Sequence, residues 1–227
     1  DGPRLRRQLF AGFGLPAQST VAPGTSGYDP AYKSEMSDHD PARARALLDL
    51  HGYVDRNGDG WREQPDGQPL ELVMASGASQ FDRQRNEIWK RSMDGVGLRM
   101  RFDIASWPEL LKKSRAGALM MWGYSWGATS PDGGFFLGIA YGPNATEAND
   151  PRFMLPAFDR LFERQRVLPD GPEREAVMRQ AKNLLVAYMP YKVHLHTERL
   201  DLLQPGVQGW WRHPFRRDQW QYVDVPG

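Results

Sequence analysis

Three aromatic residues spaced two apart, Trp122, Tyr124 and Trp126, stand where a short apolar run gives way to the glycine-rich segment GATSPDGG. In extended backbone, residues at that spacing share a face, so the three rings would form a flat stacking surface, the wall of a ligand pocket at the mouth of a strand. The interleaved residues Gly123, Ser125 and Gly127 spell a rival chemistry, the G-x-S-x-G of a hydrolase nucleophile elbow. Ser125 would be the nucleophile, followed by Asp150 or Asp159 and then by His194, His196 or His213. That mechanism needs a sharp turn from strand directly into helix, and GATSPDGG favours turns over helix. Ser125 is therefore read as a polar residue in a cleft-edge turn, with an α/β-hydrolase as the alternative.

Two further clusters could hold metal. Asp55, Asn57, Asp59 and Gly60 occupy positions one, three, five and six of a calcium loop, with Asp66 at the twelfth. A shorter Asp reaches less well there than the usual Glu, no helix follows, and Asn57-Gly58 and Asp59-Gly60 are both strong hairpin turns, so a solvated hairpin is the preferred reading. His194 and His196 would share one strand face, where a His-x-His pair can hold zinc given a third ligand. With no third ligand nearby in sequence, a polar face is preferred. No catalytic, metal or cofactor site is assigned.

Composition narrows the function classes. The 227 residues carry 40% apolar residues, enough to bury a core, and 29 Lys and Arg against 28 Asp and Glu, a formal charge of +1 that favours neither nucleic acid nor an anionic membrane. Cysteine is absent, which excludes disulfides and thiol catalysis. No segment reaches the roughly 18 apolar residues of a membrane span. The opening DGPRLRRQLFAG reads as the interior of a domain.

The elements that must position these residues follow from periodicity. Asp40 and Pro41 cap a helix that Gly52 stops, with Ala44, Leu47, Leu48 and His51 inward. A strand is predicted over Leu70–Ala75, a helix over Gln80–Val96 with Ile88, Trp89, Met93 and Val96 on one side, and then the clearest strand, where Leu98, Met100, Phe102 and Ile104 alternate with polar residues. Pro108 opens a helix with Leu110 and Leu111 inward and Gly117 as its stop, and Ala118–Trp122 forms a third strand. Two amphipathic helices follow, Pro156–Val167 and Pro172–Met189, the second burying Val177, Ala181, Leu184, Leu185 and Tyr188; Val193 and Leu195 then mark a final core strand. Strand and helix alternate, so the fold class is α/β, a mixed sheet flanked by helices. The tail from Gln204 on carries Trp210, Trp211, Phe215, Trp220 and Tyr222 with little periodicity.

In their order, DPARARALLDLHGY, PLELVMAS, IWKRSMDGVGLRMRFDIASWPELLKKSRAGALMMWGYSW and FDRLFERQRVLPDGPEREAVMRQAKNLLVAYMP, these phrases resemble the C-terminal half of the family 5 extracellular solute-binding proteins, the peptide and oligopeptide receptors of bacterial ABC importers. The resemblance implies one lobe of a type II periplasmic binding protein fold over residues 1–203. It also implies a return segment, residues 204–227, toward a missing N-terminal lobe. It further implies an extracytoplasmic location, a peptide or peptide-like solute, and delivery to membrane permease subunits, without cofactor or catalysis. Chelated metal or a glycoside are lesser options for the solute. Peptide-binding members commonly read Gly-Trp-x-x-Asp after this strand, the Asp holding a peptide's amino terminus; here the run is Gly123, Tyr124, Ser125, Trp126, Gly127, so the aromatic persists and the carboxylate does not. Asp132 is near enough in sequence to substitute. The solute-contacting set is thus Trp122, Tyr124, Ser125, Trp126 and Asp132.

Overall fold

Local signals start most of the helices. The Asp40 carboxylate accepts the Arg43 N–H at 2.9 Å, which with Pro41 opens helix α2 (Pro41–Leu50). Ser79 and Asp82 form a reciprocal capping box at the start of α3 (Gln80–Asp94). At α4 (Trp107–Arg115) both the N–H and the hydroxyl of Ser106 donate to Glu109, at 3.0 and 2.7 Å. The Ser106 bonds hold the Glu109 carboxyl below its ordinary value. These are features of a computed structural model that describes residues 2–34, 37–216 and 222–224. Trp220, one of the tail aromatics, lies outside the described residues.

Three strands, β2 (Glu71–Ser76), β3 (Arg99–Ile104) and β4 (Met121–Trp122), form a parallel sheet in the order β3-β2-β4. Parallel neighbours need crossovers, and α3 and α4 supply them, which places β2 at the centre. Met74 and Ala75 of β2 and Met100 of β3 are buried, as are Ile88 of α3 and Leu110 of α4. The inner end of β2 is fixed by polar contacts, because fully buried Ser76 receives the Asn86 side-chain amide at 2.9 Å and the Arg85 guanidinium at 3.0 Å.

A second core lies beyond the sheet. The turn-like helix α5 (Gly134–Gly138) and the turn after it pack Phe136, Leu137 and Ala140 against Phe158 and Phe162 of α6 (Pro156–Val167) and Met178, Ala181 and Leu185 of α7 (Pro172–Tyr188). Val21, from the long N-terminal loop, seals it. Among the described residues the antiparallel ladder is β1 (Leu15–Pro16) with β5 (Leu195–His196), a separate two-stranded sheet, beside isolated antiparallel bridges at Glu63–Pro69 and Gln208–Asp224.

The α/β class is borne out, with these adjustments. Parallel and antiparallel pairings are segregated into two sheets instead of mixed in one. Leu195 belongs to the small ladder and is half-buried, so it is no core strand. The third strand shrinks to two residues because the Ala118 N–H is taken by the Lys113 carbonyl at the end of α4. Leu47, His51, Ile104 and Tyr188 are exposed, against the inward faces expected of them. For α2 the reason is visible: polar bonds hold it, Arg45 to the Gly95 carbonyl at 3.0 Å and Asp49 to Arg62 at 2.5 Å, and none of its residues is buried. Helix α1 (Gly2–Phe10), edge-on to α3 through Phe10 and Phe81, had no sequence counterpart.

Candidate functional site

The expected aromatic face exists and is longer than the sequence suggested. Trp122 lies 4.6 Å from Tyr124 between ring centroids, and Tyr124 lies 5.4 Å from Trp126. Trp107, at the start of α4, adds a ring 5.0 Å from Trp122 and 5.7 Å from Tyr124; Phe135 of α5 adds another 5.9 Å from Trp126. All the interplanar angles are tilted or edge-on, the arrangement that ring quadrupoles favour. One row of five rings therefore runs from the sheet's edge to the second core. Trp107 and Phe135 escaped the sequence reading because they lie outside the two-apart spacing. Beyond the Phe135 end opens a depression of about 400 Å3 lined by Asp132, Phe135, Ile139, Phe162 and Arg174, among others.

The rings are not equivalent. Trp107 is 54% exposed at the outer end, Trp122 and Tyr124 are half-buried, and Trp126 packs against the second core. The Trp126 indole N–H is buried with no acceptor. The Tyr124 hydroxyl donates to Asp150, and burial, reinforced by that carboxylate, pushes the phenol well above its ordinary value. Tyr124 therefore stays protonated and acts as a donor.

Asp132 is engaged within the chain. Arg174 Nη2 reaches both its oxygens, at 2.8 and 2.9 Å, the Gly134 N–H donates at 2.8 Å and the Ser26 hydroxyl at 3.3 Å. Burial opposes ionisation, but these donors outweigh it and hold the carboxyl below its usual value. The loop is pressed so close to the N-terminal segment that a Cβ on Gly133 would lie 1.9 Å from the Ser26 carbonyl oxygen.

Ser125 is exposed in irregular backbone, three residues past β4 and nine before α5, so no helix starts behind it. Its proposed partners are employed elsewhere: Asp150 with Tyr124 and Ser114, Asp159 with the Gly142 N–H, and His213 with the Phe215 and Arg216 N–H groups. The hydrolase alternative is not supported. Ser125 should be chemically ordinary: a serine-directed fluorophosphonate should leave it unlabelled, and stoichiometric labelling read by mass spectrometry would reverse this.

At the acidic loop the hairpin lies later than expected. Glu63 bridges Pro69 around a turn in which Gly67, at φ 84°, donates to Gln64. Residues 55–61 form a self-bonded loop instead: Asp55 accepts the Gly58 and Gly60 N–H groups at 2.7 and 2.8 Å, and Asn57 and Asp59 each accept an N–H two residues on. Asp66 accepts from Gln68 and stays out of the group, whereas buried Glu63 converges with Asp55 and Asp59. Because the loop satisfies its carboxylates internally, millimolar calcium should leave the melting temperature unchanged. A calcium-dependent rise that vanishes in an Asp55→Ala, Asp59→Ala double variant would show the opposite. His194 and His196 each meet an aromatic ring edge-on, Trp89 and Tyr28, and neither joins a three-ligand cluster among the described residues.

With this geometry in hand, comparison with known proteins decides the family. The profile of the bacterial extracellular solute-binding proteins, family 5 (middle region), matches residues 1–148. The chain belongs to that family. It is 26% identical to di/tripeptide-binding protein 2 of Pseudomonas aeruginosa (strain UCBPP-PA14), over 94% of this chain and 41% of that protein. It is 25% identical to heme-binding protein A of Haemophilus influenzae, over 100% of this chain and 40% of that one. The chain thus spans about two fifths of the length of the curated relatives it matches. In three dimensions it superposes on the oligopeptide-binding protein AppA of Bacillus subtilis, solved with a nonapeptide, with a TM-score of 0.85 at 16% identity, over 100% of this chain and 45% of that one. The fold is that of a type II periplasmic binding protein. Among the described residues no helix is long and apolar enough to cross a membrane.

Proposed function

We propose that this chain supplies one wall of the cleft of a solute receptor for a bacterial ABC importer, working outside the cytoplasm and delivering its solute to membrane permease subunits. The observation that carries the reading is the five-ring row, one exposed and four half-buried rings on the edge of an α/β lobe of this family. Such rings bind by area and stacking, at low entropic cost, and suit a solute with planar groups such as a peptide. Peptide is favoured over heme because the di/tripeptide- and oligopeptide-binding relatives predominate among the similar proteins. No nucleophile or metal enters the account, so the protein acts by binding.

Residues 1–203 make up the lobe in this proposal and 204–227 return toward a second lobe, which would close on the solute and exclude water. Trp122, Tyr124 and the exposed Ser125 face the solute, joined by Trp107. Trp126 supports them from the core side. Asp132 acts through Arg174, fixing the loop that carries Phe135.

Mass spectrometry of the solute that co-purifies with the full-length gene product tests the reading; a peptide is expected, and a stable complex with a non-peptide solute would replace it. Trp107→Ala and Tyr124→Ala should each weaken that solute's binding by about 1–3 kcal/mol in calorimetry while the fold persists. Trp126→Ala should also lower the melting temperature, because its ring packs on the second core.

A further inference from the structure

Asp150 is the acid beside the aromatic row whose surroundings are incomplete. Its loop is rigidly held: fully buried Asn149 donates to the Tyr141 and Phe153 carbonyls at 3.1 and 2.8 Å and accepts the Phe153 N–H at 3.0 Å. So positioned, the half-buried Asp150 carboxylate takes the Ser114 hydroxyl at 2.7 Å on one oxygen and the Tyr124 hydroxyl on the other. Both donors are neutral. Among the described residues no lysine, arginine or histidine pairs with it within 4.0 Å. Arg115, close enough to act on the Tyr124 and Tyr191 hydroxyls, directs its Nη1 to the Thr146 carbonyl at 3.3 Å. Tyr191 donates toward the Ile139 and Ala148 carbonyls.

Asp132 makes the contrast, since Arg174 of α7 gives it a guanidinium. A half-buried carboxylate with no cation in direct contact is unfavourable, and two neutral hydrogen bonds leave about two of its roughly four lone-pair sites open. The group it contacts, Tyr124, stands between Trp122 and Trp126, and aromatic faces attract cations as the carboxylate does. An acid with rings beside it and no cation in direct contact is the chemistry of an ammonium or guanidinium receptor.

We propose that Asp150 is a specificity-determining residue of the aromatic row, receiving a cationic group of the solute, a primary ammonium or a guanidinium. The assignment rests on the solute-binding reading above. Tyr124 and Ser114 orient the carboxylate, and Asn149 keeps its loop in register.

Calorimetry on the full-length gene product tests it with three probes: the dipeptide Ala-Phe, N-acetyl-Ala-Phe, which has no cation, and N-acetyl-Phe-Arg, whose cation is on a side chain. The wild type should prefer one or both cationic probes over N-acetyl-Ala-Phe by about 10-fold or more, the size of a hydrogen bond to a charged group. Whichever cationic probe is preferred names the source, terminal or side-chain. Asp150→Asn should abolish that preference while N-acetyl-Ala-Phe binding is retained. A preference unchanged in Asp150→Asn overturns the assignment and leaves the receptor reading standing. If Asp150→Asn does not fold, the wild type decides, because equal binding of all three probes also overturns the assignment. No binding of any probe overturns the assignment and the peptide reading together.

Discussion

Replacing Arg174 by Ala should destabilise the chain by about 3 kcal/mol, because it removes a buried guanidinium and leaves the buried Gln165 acceptors without their donor. The guanidinium is almost wholly buried and uses all three of its nitrogens: Asp132 through Nη2, Asp170 through Nη1 at 2.6 Å, and the backbone and side chain of Gln165 through Nε and Nη2 at 3.1 and 2.9 Å. Gln165 is 1% exposed, so its two oxygens would have no water to turn to. Asp132 and Asp170 are half or more exposed and would rehydrate, which keeps the loss from being larger. The Asp132 carboxyl is held below its usual value in the folded chain, so its contribution is present above the unfolded value near 4 and is lost as pH falls through the folded one. Arg174→Ala should therefore remove an acid-dependent part of the stability as well. Chemical denaturation at pH 7 and pH 3 measures both; a loss under 1 kcal/mol at pH 7 would mean that this network contributes little.

The second large effect is set by pH. Burial, aided by Lys192, pushes His194 down to about 4, and burial also lowers His196. A histidine that is harder to protonate folded than unfolded binds fewer protons in the native state between the two values. Stability is then full above the unfolded value near 6.5 and falls as pH drops from there toward about 4. Below that, the folded form protonates too and this contribution levels off. His194 stands edge-on to Trp89 at 5.3 Å, and its carbonyl accepts the Ala17 N–H at 3.2 Å, so the proton would have to enter the seam between the N-terminal loop, α3 and β5. His194→Gln should flatten the stability profile between pH 6.5 and 4; an equally steep profile in that variant would assign the acid loss to other groups. The histidine and Asp132 windows barely overlap, so one titration separates them.

Much of this was legible because the signals were local. Ser79 with Asp82, Asp40 with Pro41, and the alternation through Met100 and Phe102 each depend on neighbours within a few residues, and the corresponding elements appear where the sequence places them. The Trp122, Tyr124, Trp126 face was legible for the same reason. What periodicity could not supply was the partner of each face. Leu47 and Ile104 repeat like core residues yet stay exposed, and Asp132 looked like a free acid until Arg174, 42 residues away, was brought to it. Trp107 and Phe135 joined the row only through the parallel order of the sheet and the fold-back of α5, neither of which is written in local spacing.

The central claim is that the solute lies on this row, and a crystal structure of the full-length gene product with its co-purified solute tests it most directly. The solute should make van der Waals contact with the rings of Trp107, Trp122 or Tyr124. A solute seated elsewhere, with all three rings free of it, would contradict the account.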